Sequence, residues 1–179
     1  MRLEYAMTWY VLLIAAVAVE RLAELVVARR NMAWSLARGG VEYGAGHYPF
    51  MVVLHTGLLL GCVVEVAVVG RPFIPALGWS MLAIALAAQG LRWWCIATLG
   101  HQWNTRVVVI PGASRIAKGP YSRIPHPNYV AVVAEGVALP LVHTAWITAL
   151  VFTVLNAALL RTRIRAENAA LAGLAAHPF

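Results

Sequence analysis

Charge is scarce in this 179-residue chain. Asp, Glu, Lys and Arg together make up 12% of it, while hydrophobic residues reach 61%. Ordinary soluble domains carry about 25% charged and 45–50% apolar residues. So few charges cannot coat a soluble surface, and so much hydrophobicity excludes intrinsic disorder. Cysteine occurs only at Cys62 and Cys95, both inside apolar runs. With no CxxC or Cys/His cluster, a disulfide scaffold and a structural zinc site are excluded, and no metal is expected. The chain also lacks an internal repeat, which argues against an inverted-repeat transporter. What is left is an all-α integral membrane protein.

Long apolar runs supply the elements. The first extends from about Ala6 to Val27, the second from Tyr48 to Val69 and the third from Phe73 to Leu99. Ala16-Val17-Ala18 looks like a signal-peptide cleavage site, but the apolar pattern continues past it and Glu4 accompanies Arg2; a span is the better reading. After Leu99 come about thirty polar residues rich in Gly, Pro, Arg and His. Apolar sequence resumes from Tyr129 to Leu160, interrupted at Pro140 and His143-Thr144. That is too long for one span, so a helical hairpin is expected, with arms Tyr129–Leu139 and Ala145–Leu160. Arg161 to Ala176 reads as a helix leaving the membrane. The sequence thus predicts five transmembrane elements, with an N-terminal part over 1–98 and a second region over 99–179 of one membrane domain.

An odd number of elements puts the termini on opposite sides. Ten basic residues then share one side: Arg29, Arg30, Arg38, Arg106, Arg115, Lys118, Arg123, Arg161, Arg163 and Arg165. Arg2 and Arg71 lie on the other. The positive-inside bias predicts the N-terminus outside and both long loops and the C-terminus in the cytoplasm. Because topology accounts for the net charge of +7, nucleic acid is not expected as a partner.

Three polar features stand out. Ionisable residues sit within the spans: Glu20, Arg21, Glu24, His55, Glu65, Arg92 and Glu135. A charge in hydrocarbon costs at least ~2.5 kcal/mol, so such residues pair inside the bundle or mark a function. Glu20 and Glu24 share one helix face and are expected to meet Arg92, as a catalytic feature or simply an ion pair between helices. Arg21 and Glu65, nearer span ends, are expected to snorkel. The second feature is Leu99–Arg106 followed by Val107–Ile110, a short strand or connector hugging the membrane. Within it, Trp103 reads as an interfacial anchor and His101 as a base or a solvated loop histidine. The densest feature is Lys118–Tyr129, in which Gly119-Pro120 marks a turn and Pro127 suits the first turn of a helix. Exposed N–H groups at a helix start favour a carboxylate ligand.

Gly119-Pro120-Tyr121 with His126-Pro127-Asn128-Tyr129 resembles the G-P-Y-x-x-x-R-H-P-x-Y signature of the isoprenylcysteine carboxyl methyltransferase family. Arg163-Ile164, Glu167-Asn168 and Leu171 resemble its R-I-x-x-E-E-x-x-L signature. The likeness covers about Leu99 to Leu171. Pro125 stands where the family has Arg, and Asn168 where it has a second Glu. The resemblance implies S-adenosylmethionine in a cytoplasmic pocket roofed by the C-terminal helix, with a lipophilic acceptor entering from the bilayer. It implies cofactor contacts from Lys118, Gly119, Pro120, Tyr121, His126, Pro127, Tyr129, Glu167 and Asn168. Glu167 and Asn168 would take the ammonium group, His126 the carboxylate, and Tyr121 and Tyr129 the adenine. Arg163 would hold Glu167 or orient the acceptor. No glycine-rich Rossmann fingerprint occurs, which excludes the soluble methyltransferase fold.

Bacterial members similar to this chain methylate alkylresorcinols or alkylpyrones, which implies a phenolic or pyrone head on an alkyl tail as the acceptor, and a place in the bacterial inner membrane. A phenol of pKa ~10 benefits from a base. Glu135, if unpaired, and His101 are the candidates. A carboxylate, as on an isoprenylated cysteine, needs none. A small proton-coupled transporter built on Glu20, Glu24, Arg92 and Glu135 is the alternative of a different class.

Overall fold

The computed structural model describes the backbone of residues 2–114 and 116–176, with side chains within 7–170. The Arg2 side chain, Arg115 and the Leu171 side chain lie outside the described residues. Five α-helices carry the fold: α1 (Arg2–Leu36), α2 (Tyr48–Val69), α3 (Pro75–Leu99), α4 (Pro127–Leu141) and α5 (Trp146–Ala176). Three helical stretches, Ala45–Val69, Pro75–Gln102 and Trp146–Ala170, are long and apolar enough to cross a bilayer. Their outer faces carry bare aliphatic side chains such as Val53, Leu60, Leu86, Leu150 and Val154, as lipid contact demands.

Prolines open three of these helices. Pro49, Pro75 and Pro127 stand in the first turn of α2, α3 and α4, where a missing N–H leaves no helical bond unmade. The predicted hairpin is α4 and α5, with different arms. Pro140 fits in the last turn of α4, and the break falls at Thr144, whose backbone is left-handed at φ 55°. Its hydroxyl donates to Pro72 O at 2.7 Å, which ties the hairpin tip to the α2–α3 turn. The tail is helical as expected, and it continues α5 unbroken from Trp146 to Ala176. At 15 residues, α4 is about 22 Å long, less than the ~30 Å of hydrocarbon. Close approach seats it. A Cβ on Gly136 would lie 2.0 Å from the Phe152 ring of α5.

The largest apolar core gathers Tyr10, Leu58, Cys62, Leu139, Val142 and Phe152 from α1, α2, α4, α5 and the hairpin tip. Tyr10 OH donates to Leu139 O at 3.1 Å. Glu65 does not snorkel. It is buried and accepts from Ile147 N (3.1 Å), Thr148 N (2.7 Å) and Thr148 Oγ1 (2.8 Å), while Arg71 lies 2.8 Å away. It caps the start of α5 by meeting N–H groups that have no partner within the helix.

The fold departs from all-α in one place. A two-stranded antiparallel ribbon pairs β1 (Val41–Tyr43) with β2 (Val107–Val109), with Glu42 opposite Val108. The Val107–Ile110 run was expected as a strand or connector; its partner lies 64 residues upstream in a stretch with no strand pattern. Val107 and Val109 pack on Ala170 of α5. The ribbon thereby joins the α1–α2 loop to the region after α3, directly beside the site.

Candidate active site

The site forms where the loop after α3, the start of α4 and the middle of α5 converge. Residues Gly119–Ser122 make a 3-10 turn. Gly119 has φ +53°, and a Cβ there would lie 2.7 Å from Thr98 Oγ1, so only glycine lets the turn press onto α3. This sets Tyr121 beside Cys95, and burial raises the phenol pKa. Four residues after the turn, His126 precedes α4 and stacks on Tyr129 with ring centroids 5.3 Å apart. Tyr129 OH donates to Glu167 Oε2 at 2.6 Å and accepts from Arg163 Nε at 3.2 Å. His126 Nδ1 lies 3.6 Å from the same Glu167 oxygen.

Arg163 is buried. Its guanidinium donates to Thr105 O at 2.7 Å and touches the Met51 sulfur. Among the described residues, no carboxylate lies within ion-pair distance of it. A buried cation without a counter-charge is costly and therefore suited to an anionic partner. Asn31 of α1 steadies the opposite wall by donating to Gly100 O (3.1 Å) and Trp103 O (2.7 Å). Trp103 is not an interfacial anchor. It is 3% exposed and packs with Ala28 and Ile96.

Two cavities open here. A polar one of about 130 Å³ is lined by Gln102, Asn104, Arg106, Tyr121, His126 and Glu167, among others. An apolar one of about 340 Å³ runs between α1, α2 and α5 past Leu22, Leu25, Val52, Leu59, Val132, Leu159 and Leu160. Trp103, Asn104, Asn128, Tyr129 and Arg163 belong to both. In that shared wall, Trp103 Nε1, Asn104 Nδ2 and Asn128 Oδ1 are buried with no hydrogen-bond partner among the described residues. Each such group costs roughly 1–3 kcal/mol until it is satisfied.

Of the residues expected at the cofactor, Tyr121, His126, Tyr129 and Glu167 line the polar cavity. Pro120 and Pro127 are buried as scaffold beside it. Lys118, Gly119 and Asn168 are exposed and line neither cavity. Of the three catalytic candidates, Arg163 sits in the shared wall, but the other two do not. His101 is exposed and stacks on Trp34 at 5.1 Å, because the turn after Leu99 directs it back along α1. Glu135 is not the unpaired carboxyl that a base requires. It accepts from Arg21 at 2.6 Å and Arg92 at 2.7 Å and lines neither cavity.

Arg21 likewise does not snorkel. It faces inward to Glu24, Glu135 and Gln89, and Gln89 in turn donates to Glu20. The expected Glu24–Arg92 contact is present at 3.6 Å, although Arg92 lies closer to Glu135. Sequence reasoning missed Gln102, Asn104, Asn128 and the ribbon residues. Asn128 stood inside a recognised motif, and Gln102 and Asn104 inside the polar stretch Leu99–Arg106, but β1 carries no local signal.

The family model for isoprenylcysteine carboxyl methyltransferases matches residues 81–173. The chain belongs to that family. The match begins inside α3, earlier than the Leu99 limit of the sequence resemblance, and takes in Arg92. Membership makes the chain a membrane methyltransferase. It is 39% identical to an uncharacterized protein, YpbQ, of Bacillus subtilis over 89% of this chain and 95% of that one. It is 23% identical to an uncharacterized protein of Haemophilus influenzae, covering 89% and 93% respectively. No solved structure matches it.

Proposed function

We propose that this protein is an S-adenosylmethionine-dependent O-methyltransferase of the bacterial inner membrane. In this reading the N-terminus is outside and the active site cytoplasmic, and the acceptor is a long-chain lipid with a phenolic or pyrone head. The observation that carries the reading is the wall shared by the polar and apolar cavities at Trp103, Asn104, Asn128, Tyr129 and Arg163. A charged, soluble methyl donor and a lipid must approach from different phases and meet at one point. Two cavities with a common wall, one of mixed polar and apolar lining and one apolar, satisfy that requirement.

The residues present fit the donor. Glu167 offers a carboxylate for an ammonium group, Asn128 Oδ1 a free acceptor, and Trp103 Nε1 and Asn104 Nδ2 free donors. His126 offers a ring nitrogen to a carboxylate, and Tyr121 an aromatic face to adenine. When bound, the sulfonium supplies an electrophilic methyl group. The protein's part is orientation: Tyr129 couples Glu167 to Arg163, so the donor side and acceptor side share one hydrogen-bonded unit. Arg163 faces the acceptor head with an unneutralised charge and favours an oxygen that becomes anionic. That same charge also suits a carboxylate, which supports carboxyl methylation of an isoprenylated cysteine as the second reading.

Calorimetry with S-adenosylhomocysteine on the detergent-purified protein tests the donor site. Glu167→Ala is expected to lose roughly tenfold to a hundredfold in affinity, as for one charged hydrogen bond. Unchanged affinity would remove Glu167 from the site. Incubation with 5-pentadecylresorcinol, and separately with N-acetyl-S-farnesylcysteine, decides between the acceptor readings.

A further inference from the structure

Among the described residues, the apolar cavity has one histidine in its wall. Arg21, Glu24 and Arg92 line it but are tied to one another and to Glu135. Arg163 belongs to the shared wall. Tyr129 belongs to that wall too, and Tyr48 lies under the Arg106 guanidinium, which leaves His55 of α2. Its Nδ1 lies 2.9 Å from Met51 O. A carbonyl oxygen only accepts, so Nδ1 carries the hydrogen, and the neutral ring keeps a bare lone pair on Nε2.

Two contacts hold the ring in place. Phe152 of α5 meets it edge to face, with centroids 5.4 Å apart at 88°. The bond to Met51, four residues earlier, draws the ring back toward the start of α2. The Met51 sulfur is in contact with the Arg163 guanidinium, so His55 leans toward the end of the cavity where the two compartments meet. The charged groups turned toward it are Arg21 and Glu24 from α1, Arg92 from α3, Glu135 from α4 and Arg163 from α5. The four from α1, α3 and α4 neutralise one another as pairs.

We infer that His55 Nε2 receives the proton of the acceptor's hydroxyl, and that the methylated group is therefore an acidic hydroxyl, phenol or enol, and not a carboxylate. The inference rests on the methyltransferase reading and deepens it. As the acceptor oxygen bonds the methyl carbon, its O–H bond breaks and the proton passes to Nε2. The electron pair of the sulfur–methyl bond stays on sulfur, which becomes a neutral thioether. The positive charge moves from sulfonium to imidazolium, and water at the cytoplasmic face removes the proton after product leaves. A carboxylate arrives without a proton and gives His55 nothing to do.

The test uses the full-length protein in nanodiscs with 5-pentadecylresorcinol as the probe acceptor. His55→Phe is expected to lower kcat at pH 7 by about a hundredfold or more, within the range for a general base. Its S-adenosylhomocysteine affinity should stay within about twofold of wild type, since His55 is outside the polar cavity. The deficit should shrink as pH rises toward the phenol pKa of ~10. His55→Gln, which keeps a donor for Met51 O, is the second variant and should show the same loss. Nitrogen-15 spectra of wild-type His55 provide a readout apart from turnover: Nε2 should be unprotonated at rest and shift when the resorcinol saturates the protein. Full turnover of either variant at pH 7, a deficit equal at every pH, or a protonated Nε2 at rest each overturns the assignment. Methylation by wild type of N-acetyl-S-farnesylcysteine alone also overturns it, while leaving the methyltransferase reading intact. A wild type that neither binds S-adenosylhomocysteine nor methylates either lipid removes both.

Discussion

Two clusters of arginine and glutamate occur in this protein, and they are built to opposite rules. In the cluster between α1, α3 and α4, Arg21 and Arg92 both reach Glu135 and Glu24, and Glu20 lies 3.4 Å from Arg21. Each charge there has a counter-charge inside the bundle. In the cluster where α4 meets α5, Glu167 is met by Tyr129 and His126, while Arg163 has only a carbonyl, a hydroxyl and a sulfur. Among the described residues, buried polar atoms without a hydrogen-bond partner occur in both places: Glu20 Oε2, Glu24 Oε1 and Arg92 Nε in the first cluster, and Trp103 Nε1, Asn104 Nδ2 and Asn128 Oδ1 beside the second. Within a low-dielectric bundle, opposite charges in contact hold helices together, while a buried cation without a carboxylate in contact leaves free energy for a ligand to recover. The two clusters differ less in which residues they contain than in whether each arginine has a carboxylate beside it.

Mutation separates the two. The largest effect is expected from Glu135→Ala, which removes the carboxylate that Arg21 and Arg92 share at 2.6 and 2.7 Å. A broken buried pair costs about 3–5 kcal/mol, or roughly 6–20 °C in Tm for a chain of this size. Thermal unfolding in detergent should show that loss together with weaker S-adenosylhomocysteine binding. A protein of normal Tm would contradict a holding role for the cluster. Next is Tyr129→Phe, which removes the hydroxyl between Glu167 and Arg163. About 1 kcal/mol of hydrogen bonding corresponds to roughly fivefold weaker S-adenosylhomocysteine binding, with Tm changing by no more than about 3 °C. A large Tm loss with unchanged affinity would reverse the contrast between the clusters. The smallest effect is expected from Glu42→Ala in the ribbon. Glu42 meets Arg106 at 2.9 Å, but both are partly exposed. Pairs of that kind are worth about 0–1 kcal/mol. A drop in Tm beyond about 4 °C would show that the ribbon carries more of the site than its ion pair suggests.

Much of this was legible along the chain, for a physical reason. A bilayer imposes one strong length and polarity rule, so α2, α3 and the hairpin follow from apolar runs alone. Pro127 marked the start of α4 because a proline N terminus has no N–H to lose. Tyr121, His126, Tyr129, Arg163 and Glu167, which line one cavity, could be named along the chain because they lie in two dense local motifs. Arg21 and Glu65 were misplaced because depth in the membrane does not reveal orientation. One helical step decides whether a charge faces lipid or the bundle. That Glu135 is paired could not be read along the chain for a related reason, since its two arginines lie 43 and 114 positions away.

By itself, then, the sequence determined that the protein is a helical membrane protein, where its long apolar helices run, and which two motifs supply residues to the candidate site. Hydrophobic length and motif spacing are properties of consecutive residues. Only the tertiary structure decided which charges are balanced, that β1 pairs with β2 across the loop, and that Trp103 and Asn128 form a wall between two cavities. It alone showed His55 with one ring nitrogen committed to Met51 and the other free. These outcomes depend on the angles at which α1, α4 and α5 meet, and residues distant in sequence become neighbours only when that packing is complete.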